Sequence, residues 1–287
     1  MRSPELLGSE LDRVAAIEAH TVRAWPATFV ETTADGWVLR ATPDLNGRGR
    51  SNHALVPASP LTVDEYRRGL SAAAAFASAH TIPCGVQVSP IDRHRPLLEI
   101  LAGLGWTIGE EVVVMTAETG QVGRGSAQGL AQEVLELSVT DAATRDWVDA
   151  WSHCDRRADV DAHVQSVFRR MAGVASFAHA QRRAAGISVE IDGIVGLFCI
   201  AVAPEERRQG LGRRLVQAML ARHAAPLTYL QVFSRNAAGR ALYSSLGFRD
   251  EYRYCHCVAP PAEASSLPDA GAARTAPASA AVASDGC

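Results

Sequence analysis

The sequence contains no lysine; all 28 of its basic residues are arginine. Two readings of that absence stand side by side. One is GC-rich codon usage; the other is an amine-modifying enzyme that offers itself no side-chain amine. No apolar run reaches the roughly 18 residues that a membrane-spanning helix needs, so no membrane association is expected. The six cysteines (Cys84, Cys154, Cys199, Cys255, Cys257 and Cys287) include no Cys-x-x-Cys pair. That argues against a zinc ribbon or a disulfide scaffold, so no metal is expected. Free thiols fit a reducing compartment. Met1 to Glu10 lacks the basic-then-apolar layout of a secretory signal, and the expected location is cytoplasmic. A formal charge of -3 lacks the basic excess of a nucleic-acid binder.

What is present is a chain of 287 residues, 47% hydrophobic and 21% charged. That composition is globular, and at about 150 residues per domain the length suggests two domains. The stretch Ala259 to Cys287 holds eleven Ala, four Pro and four Ser and no aromatic residue. Such a segment buries too little apolar surface to offset its ordering entropy, and it reads as a disordered tail. Gly120 to Ser126 is rich in glycine and small polar residues and reads as linker. The expected organisation is an N-terminal domain over 1–119, a linker over 120–132, a second domain over 133–258 and a tail over 259–287.

Periodicity gives each half a similar order. In the second half, strands are expected at Val134–Val139, Ser176–Gln181, Gly186–Ile191, Leu197–Val202, Leu227–Phe233 and Phe248–Val258, the last closing the sheet. Leu197–Val202 is continuously apolar, as in a strand buried on both faces. Helices are expected at Asp141–Ser152, Val160–Met171, Gly210–His223 and from the cap Asn236 to Leu246. In the first half a helix is expected from Glu5 to Arg23. Strands at Phe29–Thr33, Trp37–Ala41 and Ser51–Val56 precede a helix opened by the capping box Thr62-x-x-Glu65. A strand at Gly85–Ser89, a helix at Pro96–Leu104 and a strand at Glu111–Thr116 follow. Leu104-Gly105-Trp106 echoes Leu246-Gly247-Phe248, and Val86-Gln87-Val88 echoes Leu230-Gln231-Val232. The expectation is a mixed α/β (α+β) fold in two copies.

Chemistry concentrates in Val202 to Arg213, where a buried strand turns into a helix. Gly210 and Gly212 let a ligand approach the backbone. The first amides of a helix have no intrahelical acceptor and lie at its positive end, so they form an anion site. Arg207, Arg208 and Arg213 add charge, and a pyrophosphate is the natural guest. The segment is neither a dinucleotide fingerprint, because Leu215 stands where the third glycine belongs, nor a P-loop, because its lysine is missing.

Arg207-x-x-Gly210-x-Gly212 after an apolar strand resembles the acyl-CoA loop of the GNAT N-acetyltransferase superfamily. Asn236 to Phe248 resembles that family's second motif, Asn-x-x-Ala-x-x-Leu-Tyr-x-x-x-Gly-Phe, with Gly239 in place of the usual alanine. The resemblance covers about Val134 to Val258, and the two-copy layout looks like tandem actinobacterial GNAT proteins whose first copy is degenerate. In that first copy Pro57-Ala58-Ser59-Pro60-Leu61 replaces the loop, without glycine pair or arginines. The first half is therefore expected to be structural or acceptor-shaping. Its Asn46–Asn52 loop, with Arg48 and Arg50, reads either as a solvated loop or as one that touches acceptor or cofactor.

The resemblance implies direct acyl transfer from acetyl-CoA, or another acyl-CoA, to a small-molecule or protein amine. It implies a pyrophosphate held by Arg207, Arg208, Gln209, Gly210, Leu211, Gly212 and Arg213. A pantetheine arm would lie along Ile200, Ala201 and Val202. Tyr243 would be the general acid and Asn236 a cofactor contact. The carboxylate that some members carry on the central strand is missing from Leu197–Ile200. His179, Glu190, Asp192 and the cluster His153, Asp155, Asp159, Asp161 and His163 offer themselves as bases or as acidic walls for a cationic acceptor, and none stands out. Cys255-His256-Cys257 lacks a second ligand pair, and Ser234 and Cys199 lack a base partner. A non-catalytic acyl-CoA-binding or partner-binding GNAT-like protein and an acyltransferase using a carrier-protein thioester remain alternatives, and the oligomeric state stays open.

Overall fold

The computed structural model describes residues 9–123, 136–156, 159–171 and 174–261. Most of the expected linker, most of the expected tail and the start of the strand expected at 134–139 lie outside the described residues. The elements in chain order are α1 (Glu10–Ala24), β1 (Phe29–Thr32), β2 (Val38–Ala41), α2 (Gly49–Asn52), β3 (Ala54–Leu55), α3 (Val63–Ala79), β4 (Gly85–Val88), α4 (Arg95–Gly103) and β5 (Thr107–Glu118). Then come β6 (Ser138–Thr140), α5 (Arg145–Asp155), α6 (Val160–His163), a π-helical turn at Val164–Phe168, α7 (Arg169–Met171), β7 (Ala175–Ala180) and β8 (Ala184–Ile191). The chain continues through β9 (Ile194–Val202), α8 (Leu211–Leu220), β10 (Leu227–Phe233), α9 (Ala237–Ser245) and β11 (Arg249–Val258).

All the described strands form one mixed sheet in the order β1-β2-β3-β4-β11-β5-β10-β9-β8-β7-β6. The expectation that β11 closes the second half's sheet is corrected. β11 lies between β4 and β5, antiparallel to both, while β5 also pairs with β10. The last strand of each half is therefore embedded among strands of the other. Its side chains explain the position. Tyr252 and Tyr254 enter one core and Cys255 and Cys257 another, so the strand is covered on both faces as interior strands are.

Helices cover both faces. Val14, Ile17 and Ala24 of α1 pack with Trp147 and Trp151 of α5 and with Phe177, Ile187 and Phe198 of the sheet. The first helix of the chain thus sits over the strands of the second half. On the other face Leu211, Leu215, Val216 and Met219 of α8 meet Val195, Leu197, Leu230 and Val232. α3 and α4 cover the β1-to-β4 side through Tyr66, Leu70, Phe76, Leu97 and Leu101.

The capping box Thr62-x-x-Glu65 forms: the Thr62 hydroxyl accepts from the Glu65 amide at 3.3 Å, and Glu65 accepts from the Thr62 amide at 2.7 Å. The strand expected at Ser51–Val56 is instead the end of α2 followed by the two-residue β3. Asn52 is the cause. Its Oδ1 accepts from the Thr42 amide at 2.7 Å and its Nδ2 donates to the Leu45 carbonyl at 2.7 Å. Those side-chain bonds fold residues 42–52 into a compact turn instead of a ladder. Gly49, Ser51 and Asn52 are buried, so this stretch is not a solvated loop.

Candidate active site

Strands β9 and β10 start as a parallel pair and then part. Leu227 pairs with Ile194 and the register runs to Leu230 opposite Leu197, where it stops. β10 stays paired to β5 as far as Phe233. β9 stays paired to β8 as far as Val202 opposite Ala184. Between Phe198–Val202 and Gln231–Phe233 the two strands no longer pair with each other, and a gap opens in the middle of the sheet.

A bulge in β9 shapes the gap. The register against β8 shifts between Ala185 and Ile187, and Cys199 takes the left-handed conformation with φ 53°. Phe198 and Cys199 consequently face the same core, and Ile200 and Val202 turn toward α8. A regular strand would have pointed Ile200 and Val202 the other way.

The segment after β9 leads onto the head of α8. Pro204–Glu206 forms one 3-10 turn, Arg208 adopts φ 66° and Gly210 adopts φ 76° as the N-cap, with no side chain capping the helix. A Cβ on Gly210 would meet nothing within 4 Å, so open space lies over the helix start. A Cβ on Gly212 would come within 3.2 Å of Leu242, so α8 and α9 approach closely there. The Arg207 Nε donates to the Val202 carbonyl at 3.1 Å and the Gln209 side chain to the Glu205 carbonyl at 3.1 Å, which ties the turn to the end of β9. Arg207 and Arg208 are exposed. Arg213 reaches across to α9, where it donates to the Ser245 hydroxyl at 2.6 Å. Leu211 is buried and anchors the turn.

Helix α9 supplies the next wall. Asn236 is its N-cap and accepts from the Gly239 amide at 2.9 Å. Tyr243 is nearly buried, edge-on to Phe248 with ring centroids 6.1 Å apart. Asn236 and Tyr243 line a cleft, open to solvent, at the gap in the sheet. Leu197, Leu230 and Val232 line it from the α8 side, as does Ile200. Phe198 and Cys199 line it from the α1 side, together with Gln231 and, from the N-terminal half, Arg50.

The structure thus brings Ile200, Asn236 and Tyr243 into one cleft, with Val202 and residues 207–212 at the end of the same strand. The donor set fits a diphosphate ester: exposed guanidiniums, an uncapped helix start and open space above a glycine.

The candidate bases lie elsewhere. Glu190 is paired with His223 at 2.8 Å, and Asp192 with Arg23 at 2.5 Å, at the hairpin end of β9 opposite the gap. His179 lies on β7 and contacts the Gln181 carbonyl at 3.2 Å. His153 is 2.8 Å from Glu205. Asp159 is held by Arg48 at 2.6 Å, and His163 is buried against Trp25, Trp151 and Phe168. The described cleft-lining residues include no carboxylate and no imidazole.

A buried polar network behind the cleft has no local sequence signal. Gln231 Oε1 accepts from Arg50 at 2.8 Å and from the Tyr254 hydroxyl at 2.9 Å. Deeper, the Glu18 carboxylate of α1 accepts from Ser89 at 2.5 Å, Tyr252 at 2.9 Å and Gln87 at 3.2 Å. Burial pushes the Glu18 carboxyl above its ordinary range, against those hydrogen bonds and the nearby charge of Arg40. Arg40 is itself buried, which brings its pKa down to about 10, and it donates to the Gln87 side chain at 2.9 Å.

Residues 12–257 match the family model described as "Probable histone acetyltransferase Rv0428c C-terminal". The chain belongs to this family. Over 57 residues this chain is 46% identical to the ribosomal protein bS18-alanine N-acetyltransferase of Escherichia coli K12, a stretch that is 19% of this chain and 38% of that enzyme. The Shigella flexneri enzyme of the same name matches to the same extent. The chain thus covers 38% of the length of these relatives. Among solved structures, the GCN5-related N-acetyltransferase from Kribbella flavida superposes with a TM-score of 0.64 at 16% identity, over 90% of this chain and 98% of that one. A tandem GNAT protein from the clavulanic acid biosynthesis pathway superposes with a TM-score of 0.58 at 15% identity, over 91% of this chain and 97% of that one. At such identities the GNAT likeness is one of fold.

Proposed function

We propose that the chain transfers an acetyl group from acetyl-CoA to a primary amine by direct attack. The observation that carries this reading is the through-sheet gap between β9 and β10. Tyr243 lines the cleft in that gap, and the strand that forms one side of it runs on to the uncapped helix start at Gly210, read here as the anion site. In this reading the amides of residues 208–212 and the guanidiniums of Arg207 and Arg208 hold the diphosphate. Arg213, tied to Ser245, adds charge beside them. The edge of Ile200, Ala201 and Val202 pairs with the pantetheine amides, and Asn236 flanks the arm. The thioester supplies an activated acyl carbon. The amine nitrogen bonds to that carbon as the carbon–sulfur bond breaks, and the Tyr243 hydroxyl gives its proton to the departing sulfur. The proton lost by the amine leaves to water, since no carboxylate or imidazole lines the described cleft.

Residues 1–119 and 133–258 are read as two GNAT-like units. Only the second carries the acyl-CoA loop, and the first shapes the acceptor side.

Incubation with acetyl-CoA and a panel of amines, following release of free CoA, tests the reading. Amine-dependent release that falls with Tyr243→Phe is expected. Saturable acetyl-CoA binding without release for any amine would assign ligand binding without transfer.

A further inference from the structure

The two sides of the gap, on opposite faces of the sheet, differ in chemistry. On the α8 side stand Tyr243, Asn236 and aliphatic residues. On the α1 side stands a guanidinium, that of Arg50, which the N-terminal half delivers from α2. Its position is fixed on several sides. Its Cζ lies 5.3 Å from the ring centroid of Trp25 and 5.7 Å from that of Phe198, and its Nη2 donates to Gln231 Oε1 at 2.8 Å. Gln231 is itself held by the Tyr254 hydroxyl. The turn beneath is locked by Asn52, and Gly49 sits against the His256 ring, where a Cβ would come within 2.9 Å. A planar fork held over two aromatic faces is pre-organised for a carboxylate. Two residues earlier Arg48 neutralises Asp159 at 2.6 Å, so the acidic segment at 153–163 carries less charge than its composition implies.

Building on the transferase reading above, we infer that Arg50 makes the α1 side of the cleft a carboxylate subsite. The acceptor is then a primary amine with a carboxylate a few bonds away, because Arg50 and Tyr243 line one small cleft. A free amino acid and a peptide beginning with Asp or Glu share that chemistry. This choice of acceptor opposes the cationic one suggested by the acidic residues at 153–163.

The test compares the full chain with Arg50→Gln and Arg50→Lys. Acceptors are free amino acids against their amides, and peptides beginning with Asp against the same peptides beginning with Asn. The wild type is expected to favour the acid over its amide in kcat/KM, with the amino-acid or the peptide arm identifying the source. Arg50→Gln is expected to shrink that preference roughly ten- to hundredfold, the worth of a charge-assisted bond. Arg50→Lys keeps the charge and is expected to keep part of the preference. Equal use of acid and amide by the wild type overturns the inference. So does an equal loss for both in Arg50→Gln, which would put Arg50 on the donor instead. Thermal unfolding in saturating CoA gives a readout that needs no turnover. Acids are expected to raise the Tm of the wild type more than amides do, and to lose that advantage in Arg50→Gln. If no amine is acetylated while that difference persists, the transfer reading fails and the subsite stands; if turnover occurs without it, the reverse holds.

Discussion

Phe198 and Cys199 are consecutive on β9, yet both face the α1 side of the sheet. The extra residue of the bulge reverses the phase of the rest of the strand and presents Ile200 and Val202 to the α8 side. Cys199 carries the left-handed conformation, which glycine takes without cost and a β-branched residue resists. Cys199→Gly is expected to keep acetyl-CoA binding. Cys199→Val is expected to lose about 1–3 kcal/mol of stability and to weaken binding at least tenfold. Urea midpoints and acetyl-CoA titration of both variants check this pair.

Tyr243 is the protonating group in the account, and it also packs against Phe248. Removing only its hydroxyl separates the two roles. Tyr243→Phe is expected to lower kcat by roughly a hundredfold or more, the usual worth of a general acid, with little change in acetyl-CoA affinity or in Tm. Steady-state kinetics beside a thermal melt decide it. An unchanged kcat would reduce Tyr243 to packing.

Arg208 is exposed and sits at φ 66°, a conformation that costs an L-residue about 1–2 kcal/mol. A glycine there removes the strain and the charge together. Arg208→Gly is expected to raise stability by up to about 1 kcal/mol while raising KM for acetyl-CoA several-fold. A gain in stability with unchanged KM would free Arg208 from the anion site.

Buried imidazoles set the acid limit of the fold. Burial lowers the pKa of His53 to about 3 and those of His20 and His94 to about 4, from an ordinary 6.5. Below pH 6.5 the unfolded chain takes up protons that the native state refuses. The stability these groups contribute is therefore full above 6.5 and is lost as pH falls toward 4, by roughly 1.4 kcal/mol per pH unit for each ring. Glu18 acts in the opposite sense. Its raised pKa means that its contribution is largest below 4.5 and declines as pH rises, so Glu18→Gln should gain on the wild type with rising pH. Denaturant midpoints between pH 4.5 and 7.5 check both slopes; a flat wild-type profile contradicts the histidine account.

The fold of the second half was legible because its signals are local. The apolar run Leu197–Val202, the glycines at 210 and 212, the cap Asn236 and the Leu242-Tyr243 pair each act within one turn or one strand. Two features were illegible because they are long-range. Nothing near β11 says that it will leave its own half and pair with β4, since its alternation is the same at an edge as in the middle of a sheet. Nothing around Arg50 says that a turn held by Asn52 will carry it to Gln231, 181 positions away in the chain. The bulge at Cys199 was invisible for another reason: no glycine marks it.

Calorimetric titration of acetyl-CoA into the full chain, beside the Arg207→Ala/Arg208→Ala double variant, tests the central claim most directly. Saturable one-site binding is predicted, weakened tenfold or more in the variant and further weakened by salt. Absence of heat with the wild type, or identical affinities for the two proteins, would contradict it.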